Sequence, residues 1–122
     1  IALLGMTVTR YAPNRLTVHL IWKATAPPTR DYTVFVHLLG PDGTVVAQHD
    51  GPPDMGRWPT TWWAPGQVIS DTQALGGGDD VVTSGAIIEV GLYNAGTGIR
   101  LQTYDTRAGE NLGTALRRNL HQ

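Results

Sequence analysis

Three of the chain's four tryptophans fall within RWPTTWWAPG, residues 57–66. An indole offers a large flat apolar face with one N–H at its rim. It serves equally well as a stacking platform for a sugar ring, an anchor in a protein interface, or filler for a core. Trp62 and Trp63 are adjacent, so in an extended chain they point to opposite sides and at most one enters the core. Trp63, with Pro65-Gly66 close behind it, is expected to plug one end of the fold where the chain changes sheets. Trp58 and Trp62 are expected to flank it, exposed and available for contact. A structural plug, a sugar-stacking site and a protein interface all stand as readings of this stretch.

The other residues able to do chemistry are scattered. Of the four histidines, His37 and His49 are expected as diagonal neighbours on one sheet face, about 7 Å apart. A pair falls short of the three or four ligands zinc requires, and the chain has no cysteine. Asp42, Asp54, Asp71, Asp79 and Asp80 are read as lying in or near loops. Sandwich loops can hold calcium, but the regular spacing of a calcium loop is missing, and Asp beside Gly is an ordinary turn signal. Ser70 and Asp71 adjoin without a nucleophile elbow. Glu89 and Glu110 are the only glutamates, and no pair of carboxylates is placed across a cleft as a glycosidase needs. Glu89 is read as a solvated residue on a sheet face. No phosphate loop or dinucleotide fingerprint occurs. The expectation is a non-enzymatic chain with no catalytic residues, no metal and no cofactor.

Charge points the same way. Nine basic and ten acidic residues give a net charge of -1. The tightest basic cluster is Arg117–Arg118, too little to neutralise a run of phosphates, so nucleic acid is not an expected partner. No apolar run approaches the roughly 20 residues needed to span a bilayer. The chain starts at Ile1 without a leader, and is expected to be a piece of a longer protein.

What must position these residues is a set of strands. Apolar and polar residues alternate with a period of two, and Gly and Pro collect between the alternating runs. Strands are expected near 2–9, 15–23, 32–40, 44–50, 67–75, 86–94 and 99–105. An eighth near 112–120 competes with a short helix over ENLGTALRRNL. Seven to eight short strands with regular turn signals indicate one all-β domain over residues 1–122, an antiparallel β-sandwich of immunoglobulin-like type. The 51–66 stretch is the one long connection, and GGGDD at 76–80 the most freely jointed point.

Leu16, Val18, Leu20 and Trp22 share a face and are expected inside, with Val34, Val36 and Leu38 and with Val90 and Leu92. Through the turn GPDG at 40–43, Gly40 is expected to pair with Thr44. That register sets Val36 opposite Gln48, Phe35 opposite His49, and His37 opposite Ala47. Phe35, His37, His49, Glu89 and Tyr93 would then share an outer face with unusual aromatic content. Such a face either binds something or is covered by other parts of the parent protein.

These residues also carry a resemblance. DYTVFVHLLGPDGTVVAQHDGPP, RWPTTWWAPGQVISD and VGLYNAGTGIRL resemble a β-sandwich domain of bacterial, largely Chloroflexi-type, membrane proteins. There the domain follows a polytopic region similar to dolichol-phosphate-mannose-type glycosyltransferases, and it also occurs in other uncharacterised envelope proteins. The similarity runs from LLGMTVT to about Leu101 and includes Trp22, Trp63, Pro65, Gly66 and Asp71. One departure is TSGA at 83–86, where that family commonly carries a Pro-Gly turn and an aromatic. The resemblance implies an extracytoplasmic accessory or interaction domain without catalytic residues. Its expected partner is a neighbouring domain of the same chain or a glycan, and it would meet the membrane only through the parent protein. A carbohydrate-binding module using the exposed tryptophans is the alternative. Candidate ligand contacts are Trp58, Trp62, Phe35, His37, His49 and Tyr93.

Overall fold

The alternating pattern is realised as two packed β-sheets in a computed structural model, which describes residues 1–76, 86–105 and 116–119. Among these residues the strands are β1 (Ala2–Ala12), β2 (Arg15–Lys23), β3 (Thr33–Leu39), β4 (Val45–Gly51), β5 (Val68–Gly76), β6 (Ile87–Tyr93), β7 (Arg100–Leu101), β8 (Tyr104–Asp105) and β9 (Leu116–Asn119). One sheet has the order β5-β2-β1-β8, and the other β4-β3-β6-β7 with β9 also on β6. All pairings are antiparallel except that of the two-residue β8, which runs parallel to β1. Strands one, two and five against three, four, six and seven is the partition of an immunoglobulin-like sandwich.

One strand expectation needs correction, and one open choice is decided. The run 99–105 is not one strand. Its first part pairs with β6 and its second with β1, so the chain crosses between sheets at Gln102-Thr103. The segment around 112–120 is strand where it is described, 116–119, pairing with β6. Residues 106–115, the Asp79–Asp80 pair, the TSG of 83–85 and His121 lie outside the described residues.

The core is made by the inner faces of both sheets. Leu16, Val18, Leu20 and Trp22 of β2 meet Val34, Val36 and Leu38 of β3 and Ile88, Val90 and Leu92 of β6, all buried. The strict alternation in β2 places its aliphatic residues and Trp22 on one side, while Thr17, His19 and Ile21 stay half-buried on the other. Strand β6 is different: Ile88, Glu89, Val90, Gly91 and Leu92 are all buried. It lies between β3 and the β7/β9 edge, so its outer face is covered by neighbouring side chains as well.

The 40–44 turn forms as its residues dictate, with Gly40 N–H donating to Thr44 at 2.8 Å and Gly43 at a φ of 85° that favours glycine. The register beyond it departs from expectation. Leu39 pairs with Val45 but Leu38 with Ala47, so Val46 is an extra residue. This bulge moves every later residue of β4 by one, and a shift of one turns each side chain to the opposite face. Val36 therefore faces His49, His37 faces Gln48, and Phe35 faces Asp50.

Strand β5 alternates strictly, and its inward positions are Ile69, Asp71, Gln73 and Leu75. Two of these four are polar, in a strand at the edge of its sheet. Asp71, within the strand expected at 67–75, is in mid-strand and fully buried. Its Oδ2 accepts the indole N–H of Trp22 at 3.2 Å, and its Oδ1 accepts the backbone N–H of Asp54 at 2.9 Å. The Gln73 amide donates to both oxygens. The turn Pro53–Gly56 that carries Asp54 has two left-handed residues, Asp54 (φ 50°) and Met55 (φ 56°). Neither is glycine, so the turn is strained, and the bond to Asp71 anchors its first residue. Arg57 holds its other side, donating to the Asp54 carboxylate at 2.9 Å. A single carboxylate thus ties β2, β5 and the crossover from one sheet to the other. Replacing Asp71 by Ala strands the Trp22 indole N–H and the Asp54 amide, and is expected to cost about 3 kcal/mol or more. Chemical denaturation of the variant checks this, with wild-type stability as the contrary outcome.

Candidate functional site

Connections β2–β3, β4–β5 and β6–β7 emerge at one end of the sandwich. Register fixes this. Lys23 lies opposite Val68, Val34 opposite Gly51, and Tyr93 opposite both Thr33 and Arg100. Hydrogen bonds join the first two loops. Ala24 exchanges backbone bonds with Gly66 and Gln67. The Thr60 hydroxyl donates to the Arg30 carbonyl and accepts the Tyr32 N–H. The Asp31 carboxylate accepts both the N–H and the hydroxyl of Thr61.

RWPTTWWAPG is built into this end. Residues Thr60–Trp62 form a single 3₁₀ turn, so Trp62 and Trp63 do not lie in the extended chain on which their separation was predicted. They are separated nonetheless. Trp63 follows the turn in extended conformation and is buried in the core, its indole donating to the Trp58 carbonyl at 2.9 Å. Trp62 is 62% exposed. Trp58 departs from expectation, being half-buried against the core rather than exposed. It meets Trp62 edge-on, ring centres 5.9 Å apart. Pro65-Gly66 closes a turn from Ala64 to Gln67, with Gly66 at φ 82° where a type II turn demands it. The tryptophan stretch is therefore both a plug and a mount: Trp63 inside, Trp58 at the rim, Trp62 outside.

The outer face of the second sheet gathers three of the other candidates and loses one. Phe35, His37 and Tyr93 adjoin, with ring centres 5.0 and 6.3 Å from Phe35. Phe35 is nonetheless buried. It lies opposite Gly91, which has no side chain to displace it, and the Arg100 guanidinium sits 4.3 Å over its ring. His49 is elsewhere. The bulge at Val46 turns it to the side of Val36, where it lines a cleft of about 350 Å³ at the β4/β5 edge with Met55 and Gln73. The expected His37–His49 pair does not form.

His37 stands instead between two carboxylates, 3.4 Å from Glu89 and 3.9 Å from Asp50. Glu89, expected to be solvated, is buried and takes a 2.6 Å bond from Arg117. Tyr93 donates to Asp50 at 2.7 Å. The chain of contacts Tyr93–Asp50–His37–Glu89–Arg117 crosses four strands and pairs these groups with one another. Asp42 is likewise engaged, accepting the hydroxyl and N–H of Thr44, which hold its carboxyl below the ordinary range. Among the described residues no three His, Cys, Asp or Glu gather as a metal site would need.

Sequence reasoning did not single out Arg30 and Arg100. With Tyr32, Asn94 and Leu101 they line a cleft of about 440 Å³ at the three-loop end. Arg100 is legible in retrospect as the second residue after the NAGTG turn, paired with Tyr93. Arg30 sits in an irregular loop whose course no periodicity reveals.

The Tyr93–Asp50 bond carries a pH signature. Donation to the Asp50 carboxylate, with lesser help from desolvation and from that charge, raises the Tyr93 phenol above its ordinary 10.0. A raised value means folding favours the protonated phenol. Its contribution is present below pH 10.0 and is lost as pH rises through the folded-state value. Ultraviolet titration is expected to show Tyr93 ionising above pH 10.0, and Asp50→Asn to bring that ionisation down. A wild-type titration unaltered by Asp50→Asn is the contrary result.

Trp63→Ala is expected to destabilise by about 3–5 kcal/mol, as loss of a buried aromatic does, and Trp62→Ala by under about 0.5 kcal/mol. Paired thermal melts separate the two. Comparison with protein-family models finds no matching family, and neither curated proteins nor solved structures give a match. The similarity to the membrane-protein sandwich domain rests on its motifs alone.

Proposed function

We propose that this domain is a non-catalytic interaction module of an envelope protein, and that it makes its contact through the three-loop end. The observation that carries this reading is the distribution of exposed apolar side chains. Seven large ones are exposed among the described residues, and three of them, Trp62, Val68 and Ile99, stand at this end, while Met55 lies beside the cleft at the β4/β5 edge. Apolar side chains left in water on loops held by mutual hydrogen bonds are a rigid contact surface, and Trp is a preferred anchor in one. The titratable groups of the outer face pair with one another, which favours a binding role over a catalytic one. An extracytoplasmic location and a neighbouring domain of the parent protein as partner follow from the motif resemblance.

A second reading, glycan binding, has its own observation. Trp62 is held edge-on by Trp58, which fixes its ring as a flat platform. The two readings part in one experiment. A photo-crosslinker replacing Trp62 in the envelope-expressed parent protein is expected to capture a segment of that same protein, while one replacing Val45 at the opposite end captures none. Retention of the isolated domain on polysaccharide gels, lost in Trp62→Ala with an unchanged melting temperature, would instead establish the glycan reading. Absence of both effects would remove the three-loop end as the contact surface.

A further inference from the structure

We infer that the Arg30/Arg100 cleft is a binding site for an acidic sugar residue, a hexuronate of a polysaccharide. This goes beyond the reading above and does not depend on Trp62. The cleft, about 440 Å³ and open at the three-loop end, falls in the size range of small-ligand sites. Its lining carries no carboxylate, in a chain whose acidic residues outnumber its basic ones. Neither Arg30 nor Arg100 has a carboxylate partner among the described residues.

The polar groups here are turned so that donors remain. The Asn94 side chain uses its Oδ1 to accept the Gly96 N–H, which leaves its amide N–H₂ free. The Thr97 hydroxyl oxygen accepts the Ile99 N–H, which leaves its own O–H to donate. Arg100 lies over Phe35, 4.3 Å from the ring centre. This cation–π contact needs none of the guanidinium's N–H groups as hydrogen-bond donors and limits the mobility lost on binding a carboxylate. Asp31, next to Arg30 in sequence, is occupied by Thr61.

Two guanidinium groups and two neutral donors suit one carboxylate among several hydroxyls, and Tyr32 and Leu101 supply an apolar wall for the C–H face of a sugar ring. An acidic peptide fits less well. It would seek backbone pairing, and the adjoining β7 is only two residues long.

Calorimetric titration of the 122-residue chain tests this. The probes are galacturonic acid oligomers, galactose oligomers of equal length, and oligoglutamate. Saturable binding of the uronate alone is expected, weakening as salt rises. Arg30→Gln and Arg100→Gln are each expected to weaken it by about tenfold or more, the usual loss for a hydrogen bond to a charged group. Trp62→Ala is expected to leave it unchanged. Arg30 is exposed in a loop, so Arg30→Gln decides the matter even if Arg100→Gln disturbs the packing of Phe35. The inference is overturned by failure of the uronate to bind, by equal binding of the neutral oligomer or of oligoglutamate, or by arginine variants that bind like wild type. If Trp62→Ala abolishes binding of both sugars while the arginine variants do not, the cleft is eliminated and the tryptophan platform stands.

Discussion

Asp71 is fully buried with four donor contacts, and the closure of the sandwich hangs on that arrangement. A carboxylate buried without partners would be costly enough to prevent folding. Here the cost is offset by the Trp22 indole, the Gln73 amide and the Asp54 backbone N–H. Each donor comes from a place the fold must bring together. Trp22 is at the end of β2, Gln73 on the edge strand β5, and Asp54 in the crossover between sheets. An edge strand with a polar inner face would otherwise stay open to water or to another chain. The turn at Pro53–Gly56 covers it, and the rest of the crossover then carries Trp63 into the core and Trp62 out of it.

The sequence is most readable where one side of a strand is wet and the other dry. The alternation of LTVHLIW identified the core face of β2 because His19 and Thr17 cannot exchange with Leu20 and Val18 without burying polar groups. β3 was harder, since both its faces are apolar enough to be buried, and Phe35 and Leu39 on its outer face are buried as well; on β6 it was the burial of Glu89 that alternation did not reveal. β5 misleads for the opposite reason. Asp71 and Gln73 look like surface residues until their partners, 49 positions away for Trp22, are brought alongside. Such pairing is long-range and leaves no local pattern.

The candidate site divides along the same line. Trp62 and Trp63 were told apart correctly, although by an alternation argument that the 3₁₀ turn does not obey. What separates them is the turn itself, which ends at Trp62 and releases Trp63 into extended chain. The grouping of Phe35, His37 and Tyr93 followed from strand periodicity. His49 did not join them, because one extra residue at Val46 reverses the strand beyond it, and neither valine at 45 or 46 announces a bulge. Arg100 covering Phe35 depended on a third strand whose pairing could not be read from periodicity.

The outer edge of β6 is completed in two instalments. β7 covers its last two residues, the chain departs to the other sheet, and β9 returns to cover Ile87 to Val90. The returning piece brings Leu116 into the core and sets Arg117 against Glu89. The slot it fills is set by β6, whose Ile87 to Val90 have no other partner on that side among the described residues. A chain ending before Leu116 would keep both sheets yet present four unpaired residues beside an apolar gap. β6 thus owes the cover of that edge to two pieces of chain separated by a visit to the other sheet.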